Sequence, residues 1–135
     1  MIVVDSGVLY ALFDRSDDQH DRAKAFLAGN PAGLVTNVPV LTEVTYLLGH
    51  SVRDQCAFLN WAGEATTIDT ETATDLPRII EIMRKYSDLP ADFADASLVA
   101  LCERARTERI ATLDGHFSVY RLATGKHLMN VLDVA

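Results

Sequence analysis

The stretch "MIVVDSGVLYALFD", residues 1–14, places a carboxylate where a short apolar strand ends and a helix begins. The β-prone residues 2–4 lead directly to Asp5, and the apolar run that starts at Gly7 has helical character. In open parallel sheets, ligands bind in the crevice at the carboxyl ends of the strands. A single aspartate at such a position is commonly a turn former or a helix N-cap. The significance of Asp5 therefore depends on whether other acids occupy matching positions.

Strand-like and helix-like segments alternate along the whole chain. The predicted strands cover residues 2–5, 33–37, 65–69, 109–114 and 128–134. The predicted helices cover residues 7–14, 16–30, 38–50, 51–63, 70–88 and 90–108, with Ser16 or Asp17 as a cap and Pro77 as a break or restart. This alternation predicts an α/β fold in one domain, 1–135, with a mostly parallel sheet of about five strands flanked by helices.

Composition limits the classes of function. The chain has 135 residues and a formal net charge of −7, which argues against nucleic-acid binding through bulk positive charge. A local basic patch, or a cluster of acids neutralised by metal, remains compatible with that charge. No segment approaches the roughly 18 apolar residues of a membrane helix, and no signal peptide is visible. Cys56 and Cys102 lie far apart. We therefore expect a cytoplasmic protein with reduced thiols and no membrane partner.

Further acids occupy positions that match Asp5. Asp114 ends the apolar run "IATLD", as Asp5 ends the first strand, and Glu43 lies on the flank of an apolar helical stripe. In "DFADASLVA", Asp95 shares a helical face with apolar residues, and Asp92 precedes it by three positions. Each acid also has a structural interpretation. Asp5 and Asp114 would be turn formers or helix N-caps, and Glu43 would extend to solvent at the edge of the apolar stripe or pair with a basic residue. Asp92 would be an N-cap with an acid three residues later, and the helix dipole would favour both Asp92 and Asp95.

Several carboxylates converging on one crevice repel one another and raise each other's pKa. Hard divalent cations with oxygen ligands relieve that repulsion, and Mg²⁺ or Mn²⁺ suits such a set. The four histidines are scattered and do not form a zinc motif. The pattern therefore predicts a Mg²⁺ or Mn²⁺ site with Asp5, Glu43, Asp92, Asp95 and Asp114 as candidate ligands. Phosphodiester hydrolysis is chemistry that uses such a site.

The segments "VVDSGVLYALFD", "LTEVTYLL" and "DFADASLVALCERARTERIATLDGHFSVYR" resemble the PIN-domain nucleases, and within them the VapC-like toxins of type II toxin–antitoxin pairs. The ordered set of acids carries the resemblance, which extends over essentially the whole chain. It places the family's metal-binding acids at Asp5, Glu43 and Asp114, and the third acid at Asp92 or Asp95. Ser6 and Thr112 match small hydroxyl residues of the family. Gly115 departs from it, because relatives often carry a basic residue there.

The resemblance implies a metal-dependent endoribonuclease that leaves a 5′-phosphate and a 3′-hydroxyl. It also implies an RNA substrate, a cognate antitoxin whose tail lies along the groove, and a homodimer. Under this interpretation, the expected catalytic residues are Asp5, Glu43, Asp95 and Asp114. The alternative is a non-catalytic PIN-like module that binds RNA or protein. A receiver domain and a haloacid-dehalogenase-like phosphatase do not fit, because Asp5 has no second acid beside it.

Basic and aromatic residues in the last third of the chain are candidate RNA contacts. The basic residues are Arg104, Arg106, Arg109, His116, Arg121, Lys126 and His127. They would hold phosphates if they bordered the crevice; for the first three, a solvated helix end is the competing interpretation. Tyr120 and Phe117 are candidates for stacking on bases, although Phe117 also suits the core.

Overall fold

The computed structural model describes residues 1–30, 33–89 and 91–133. Five parallel strands form one sheet: β1 (Ile2–Val4), β2 (Leu34–Asn37), β3 (Thr67–Asp69), β4 (Arg109–Ala111) and β5 (Met129–Asn130). Six α-helices accompany them in the described residues: α1 (Ser6–Phe13), α2 (His20–Gly29), α3 (Val38–Leu47), α4 (Val52–Ala65), α5 (Leu76–Lys85) and α6 (Phe93–Ala105). The predicted α/β class and the parallel sheet are confirmed.

The strand order is β3-β2-β1-β4-β5, so β1 lies at the centre of the sheet. The chain moves outward from β1 to β2 and β3, and then returns to the other side of β1 through α6 and β4. The order of strands thus reverses between β1 and β4, and in this class of sheet ligands bind at such a switch point. Asp5 and Asp114 follow these two strands.

The core is built on β1 and α6. Every residue of β1 is buried, and in α6 an uninterrupted run from Ala94 to Cys102 is buried as well. Such continuous burial is what a central parallel strand and a helix covered on several sides require. Helix α6 therefore holds its buried polar residues, Asp95 and Ser97, in closely packed surroundings.

Several predicted boundaries shift because side chains hydrogen-bond to nearby backbone. The predicted cap at Ser16 or Asp17 is wrong: α2 begins at His20, and Asp17 instead accepts a hydrogen bond from the Gln19 N–H at 2.8 Å. The last strand is shorter than predicted, because the Asn130 side chain accepts from the Leu132 N–H at 3.2 Å, and a 3₁₀ turn follows at Val131–Asp133. Pro31, Pro90, Val134 and Ala135, which fell in predicted elements or at their ends, lie outside the described residues.

Pro77 restarts the helical structure, as one of the two predicted alternatives states. A 3₁₀ turn at Thr72–Asp75 precedes it, and Pro77 then occupies the first turn of α5. A proline fits there because the first helical N–H groups have no intrahelical acceptor.

Candidate active site

Asp5 is held at the end of the central strand by hydrogen bonds to two backbone groups. Its backbone N–H donates to the Ala111 carbonyl of β4 at 3.0 Å, which ties the ends of β1 and β4 together. Its Oδ1 accepts from the Ser6 N–H at 2.7 Å, so the carboxylate also caps α1. Asp5 is 4% exposed. The N-cap interpretation therefore holds for this residue, and its role as a metal ligand stays a prediction.

Thr112 connects the two strand-end acids. Its Oγ1 donates to Asp5 Oδ2 at 2.8 Å and accepts from the Asp114 N–H at 3.0 Å. The threonine is 2% exposed, so this bridge is shielded from water. The hydroxyl therefore fixes the orientation of the Asp5 carboxylate relative to the backbone that carries Asp114.

Glu43 reaches the same place from α3. Ser6 Oγ donates to Glu43 Oε1 at 2.6 Å and lies 3.4 Å from Asp5 Oδ1, so one hydroxyl links the two acids. No basic side chain among the described residues pairs with Glu43, so the ion-pair interpretation does not hold. Asn37 sets the start of α3 by accepting from the Val40 N–H at 3.1 Å, and it donates to Ser97 of α6 at 2.9 Å.

Asp92 and Asp95 have different roles at the start of α6. Asp92 is exposed and caps the helix: its Oδ1 accepts from the Asp95 N–H at 2.8 Å. Asp95 is 9% exposed and faces the crevice from the first turn of the helix. The N-cap interpretation of Asp92 is therefore confirmed, and Asp95 is the more buried of the two candidates for the third acid.

All five candidate acids line one open crevice of about 490 Å³. Its other lining residues are Ser6, Gly7, Leu47, Leu113 and Gly115. The crevice lies outside the carboxyl ends of β1 and β4, at the switch point of the sheet. Five acids from four separate segments of the chain thus meet where the sequence pattern places them.

Crowding of these acids alters their protonation. Burial, followed by the charges of Glu43 and Asp114, raises the pKa of Asp5 to about 6, although the hydrogen bonds from Thr112 and Ser6 act in the opposite direction. Burial, followed by the charges of Asp92, Asp5 and Asp114, raises the pKa of Asp95 to about 8. A bound cation would reverse this effect by stabilising the ionised carboxylates.

The chemistry of this donor set fits a hard divalent cation, because carboxylate oxygens, those of Asp5 and Asp95 buried, face one solvent-accessible space. Across 1–30, 33–89 and 91–133, no three His, Cys, Asp or Glu side chains are close enough together to form a preassembled metal group. Mutual repulsion keeps uncompensated carboxylates apart. The acids would therefore have to draw closer around an ion.

The basic residues predicted as phosphate contacts lie elsewhere. Arg104 is held by Asp69 and Asp75 at 2.7 and 2.9 Å, and Arg109 begins β4 at the end opposite to the crevice. Lys126 pairs with Glu108, and Arg121 contacts His127. His116 is the exception, since its Nδ1 lies 3.6 Å from Asp114 Oδ1. Within the described chain, no Lys or Arg lines the crevice.

Tyr120 and Phe117 are both buried, at 0% and 2% exposure, so the prediction that Tyr120 stacks on bases is wrong. Their rings pack edge to face at 5.1 Å, because Phe117 lies in the 3₁₀ turn at Gly115–Ser118 and Tyr120 follows that turn closely. Sequence reasoning also missed Asn37 and Ser97, although an asparagine before Val-Pro is a typical helix cap and marks the start of α3.

Comparison with known proteins identifies the family. A profile of the PIN domain matches residues 2–122. The chain belongs to the PIN-domain family. A VapC-like relative is Ribonuclease VapC26 of Mycobacterium tuberculosis, 30% identical over 124 residues, which cover 89% of this chain and 92% of that protein.

A solved PIN-domain structure supports the same assignment. The crystal structure of VapC20 from Mycobacterium tuberculosis, described as a sarcin–ricin loop cleaving toxin, superposes with a TM-score of 0.79 at 25% identity. The match covers 88% of this chain and 94% of that chain. The resemblance seen in the sequence to VapC-like PIN domains is therefore confirmed in both sequence and fold.

Proposed function

We propose that this PIN domain is a metal-dependent endoribonuclease and the toxin of a toxin–antitoxin pair. The observation that carries the proposal is the convergence of Asp5, Glu43, Asp95 and Asp114 on one crevice at the switch point of the sheet. The names of its relatives, a ribonuclease and a toxin that cleaves the sarcin–ricin loop, supply the class of reaction and of substrate.

In this proposal Asp5, Glu43, Asp95 and Asp114 hold one or two Mg²⁺ or Mn²⁺ ions, and Asp92 lies at the rim of the site. When bound, such a cation activates water and stabilises the oxygen that leaves the phosphorus. Thr112 and Ser6 orient the Asp5 and Glu43 carboxylates through the hydrogen bonds described above. The products are an RNA with a 5′-phosphate and one with a 3′-hydroxyl.

The experiment is RNA cleavage by the purified protein with Mg²⁺, with Mn²⁺ and with a chelator. We expect Asp5→Asn and Asp114→Asn to lower the metal-dependent rate by at least 100-fold, because each removes a charged ligand but keeps its shape. Asp54→Asn is the matched control, since Asp54 lies in the first turn of α4 outside the crevice. Wild-type cleavage by Asp5→Asn would refute the site. Metal binding without any cleavage would favour the non-catalytic module.

Partners and location form part of the same proposal. Alongside RNA, we propose an antitoxin and a second copy of the chain as partners. A face of exposed apolar side chains adjoins the crevice: Tyr46, Leu47 and Phe93 are 82%, 44% and 43% exposed. That face supports a homodimer, and a monomeric mass by light scattering at micromolar concentration would contradict it.

A cytoplasmic location follows from the proposed RNA substrate. Across the described residues, none of the helices has the length and apolar content needed to span a bilayer.

A further inference from the structure

The side chain of Asn130 pairs with both backbone groups of Thr112. Asn130 Oδ1 accepts from the Thr112 N–H at 3.2 Å, and Asn130 Nδ2 donates to the Thr112 carbonyl at 2.9 Å. One planar amide makes both bonds, so the donor and the acceptor of Thr112 are fixed relative to each other. The pairing therefore holds the backbone of Thr112 in both position and orientation, which a single hydrogen bond would not do.

This pairing lies just beyond the end of the sheet. Strand β4 ends at Ala111 and strand β5 at Asn130, and the last pair in their ladder is Ile110 with Asn130. Thr112 therefore follows the last residue that this ladder holds. The amide of Asn130 supplies the two hydrogen bonds that the backbone of a longer β5 would supply to Thr112.

Thr112 connects this pairing to the acids of the crevice. Its Oγ1 donates to Asp5 Oδ2 at 2.8 Å and accepts from the Asp114 N–H at 3.0 Å. A shift of the Thr112 backbone would move that hydroxyl, and both hydrogen bonds depend on its distance and angle.

Asn130 itself lies outside the acidic crevice. It lines a smaller cavity of about 110 Å³, which Thr112 and Asp114 also line. Within the described chain, its side chain hydrogen-bonds to Thr112 and Leu132 and to none of the five acids. An effect of Asn130 on a cation in the crevice would therefore pass through Thr112.

We propose that Asn130 is a positioning residue for the metal site: its amide fixes the Thr112 backbone, so that the Thr112 hydroxyl holds the Asp5 carboxylate and the Asp114 backbone in place for a divalent cation. The inference rests on the metal site of the proposed function. Groups that orient metal ligands change the affinity for the metal although they do not touch it. Asn130 acts in this way through a second residue.

The test compares the Mn²⁺ affinity of wild type, Asn130→Ala and Asn30→Ala by electron paramagnetic resonance, with no RNA present. We expect Asn130→Ala to raise the Kd for Mn²⁺ about tenfold, the low end of the effect of removing groups that orient metal ligands. Asn30→Ala is the matched control. The Asn30 amide also donates to a backbone carbonyl, that of Phe26 at 3.0 Å, but it lies at the C-terminal end of α2, outside the crevice. We expect this control to keep the wild-type Kd, even if urea unfolding shows that it is less stable.

A double-substitution cycle with Thr112→Val separates positioning from general support of the fold. Thr112→Val removes the hydroxyl through which Asn130 acts. Added to Thr112→Val, Asn130→Ala should therefore change the Kd for Mn²⁺ by less than about twofold. Independent effects that add in the double variant would overturn the inference. Asn130→Ser, whose hydroxyl can bond to one Thr112 group at a time, should give an intermediate Kd and replaces Asn130→Ala if that variant does not fold.

Wild-type Mn²⁺ affinity in Asn130→Ala would also overturn the inference, as would absence of Mn²⁺ binding by the wild type. An equal loss of affinity in Asn30→Ala would overturn it as well, because it would indicate a general effect of lower stability. The Mn²⁺ readout separates this inference from the proposed function. A protein that binds Mn²⁺ and loses affinity in Asn130→Ala as expected, but never cuts RNA, would support the first and refute the second.

Discussion

At the scale of the residue, the hydroxyls of Ser6 and Thr112 hold the carboxylates of this site in place. Burial of Asp5 disfavours the ionised form of its side chain and so raises its pKa. Thr112 and Ser6 donate hydrogen bonds that stabilise the ionised form and act in the opposite direction. Thr112 is the better probe of the two, because it has no direct contact with Glu43 and its hydroxyl both donates and accepts.

We expect Thr112→Val to lower the free energy of unfolding by about 1–3 kcal/mol, because the Asp114 N–H loses its acceptor. The pKa of Asp5 should rise further, because the bond that lowers it is lost. Affinity for Mn²⁺ should therefore fall, which isothermal titration calorimetry would measure. Thr112→Ser should restore it.

Thr36→Val is the matched control for that prediction. Thr36 is also fully buried, but its hydroxyl donates to the Val4 carbonyl at 3.2 Å and not to an acid. The Thr36→Val variant should be less stable than the wild type and should keep the wild-type affinity for Mn²⁺. Equal affinity in the two valine variants would show that Thr112 supports the fold and not the site.

At the scale of the element, the start of α6 combines a structural and a chemical task. Asp92 caps the helix and is exposed, and Asp95 one turn later is buried and faces the crevice. Asparagine caps a helix about as well as aspartate, whereas alanine does not. The two substitutions at Asp92 therefore separate the cap from the charge.

We expect Asp92→Asn to keep both the unfolding free energy and most of the cleavage activity. Asp92→Ala should lose about 1 kcal/mol of stability, because the Asp95 N–H loses its acceptor. Asp95→Asn should abolish cleavage while it keeps the helix. Urea unfolding and RNA cleavage measure both quantities. Loss of cleavage in Asp92→Asn would instead make Asp92 the third acid.

At the scale of the whole molecule, the crevice is a source of instability that a cation relieves. Asp5 and Asp95 have folded-state pKa values of about 6 and about 8, above the ordinary 3.8. Between about pH 4 and pH 8 the folded protein thus holds more protons than the unfolded chain. Its free energy of unfolding must fall as the pH rises through that window.

We expect the metal-free protein to lose at least about 1 kcal/mol of stability between pH 5 and pH 8, measured by urea unfolding with a chelator present. Asp95→Asn should flatten the dependence, and Mn²⁺ should restore stability at pH 8. Asp69, whose pKa is lowered by Arg104, gives a stabilising contribution that is constant over this window and is lost only as the pH falls below about 4. Constant or rising stability over the window would contradict the assigned protonation.

The sequence by itself determined the parallel α/β fold, its family and the five candidate acids. These follow from local patterns: short apolar runs that end in an acid or an asparagine, and helices with caps. The domain bounds 1–135 stay a prediction. The start of α2 and the end of the last strand were less well predicted, because the turns at Asp17 and Asn130 depend on side chains that bond to the backbone two positions away.

Only the tertiary structure decided which acids meet and what holds them. The contacts Ser6–Glu43, Thr112–Asp5 and Asn37–Ser97 join residues 37, 107 and 60 positions apart, and no local pattern encodes such pairs. It also removed Arg104 and Tyr120 from the predicted RNA surface, because each has stronger partners inside the fold: carboxylates for Arg104 and aromatic rings for Tyr120. Local sequence determines the helix, strand or turn that carries a side chain, and tertiary packing determines which groups that side chain contacts.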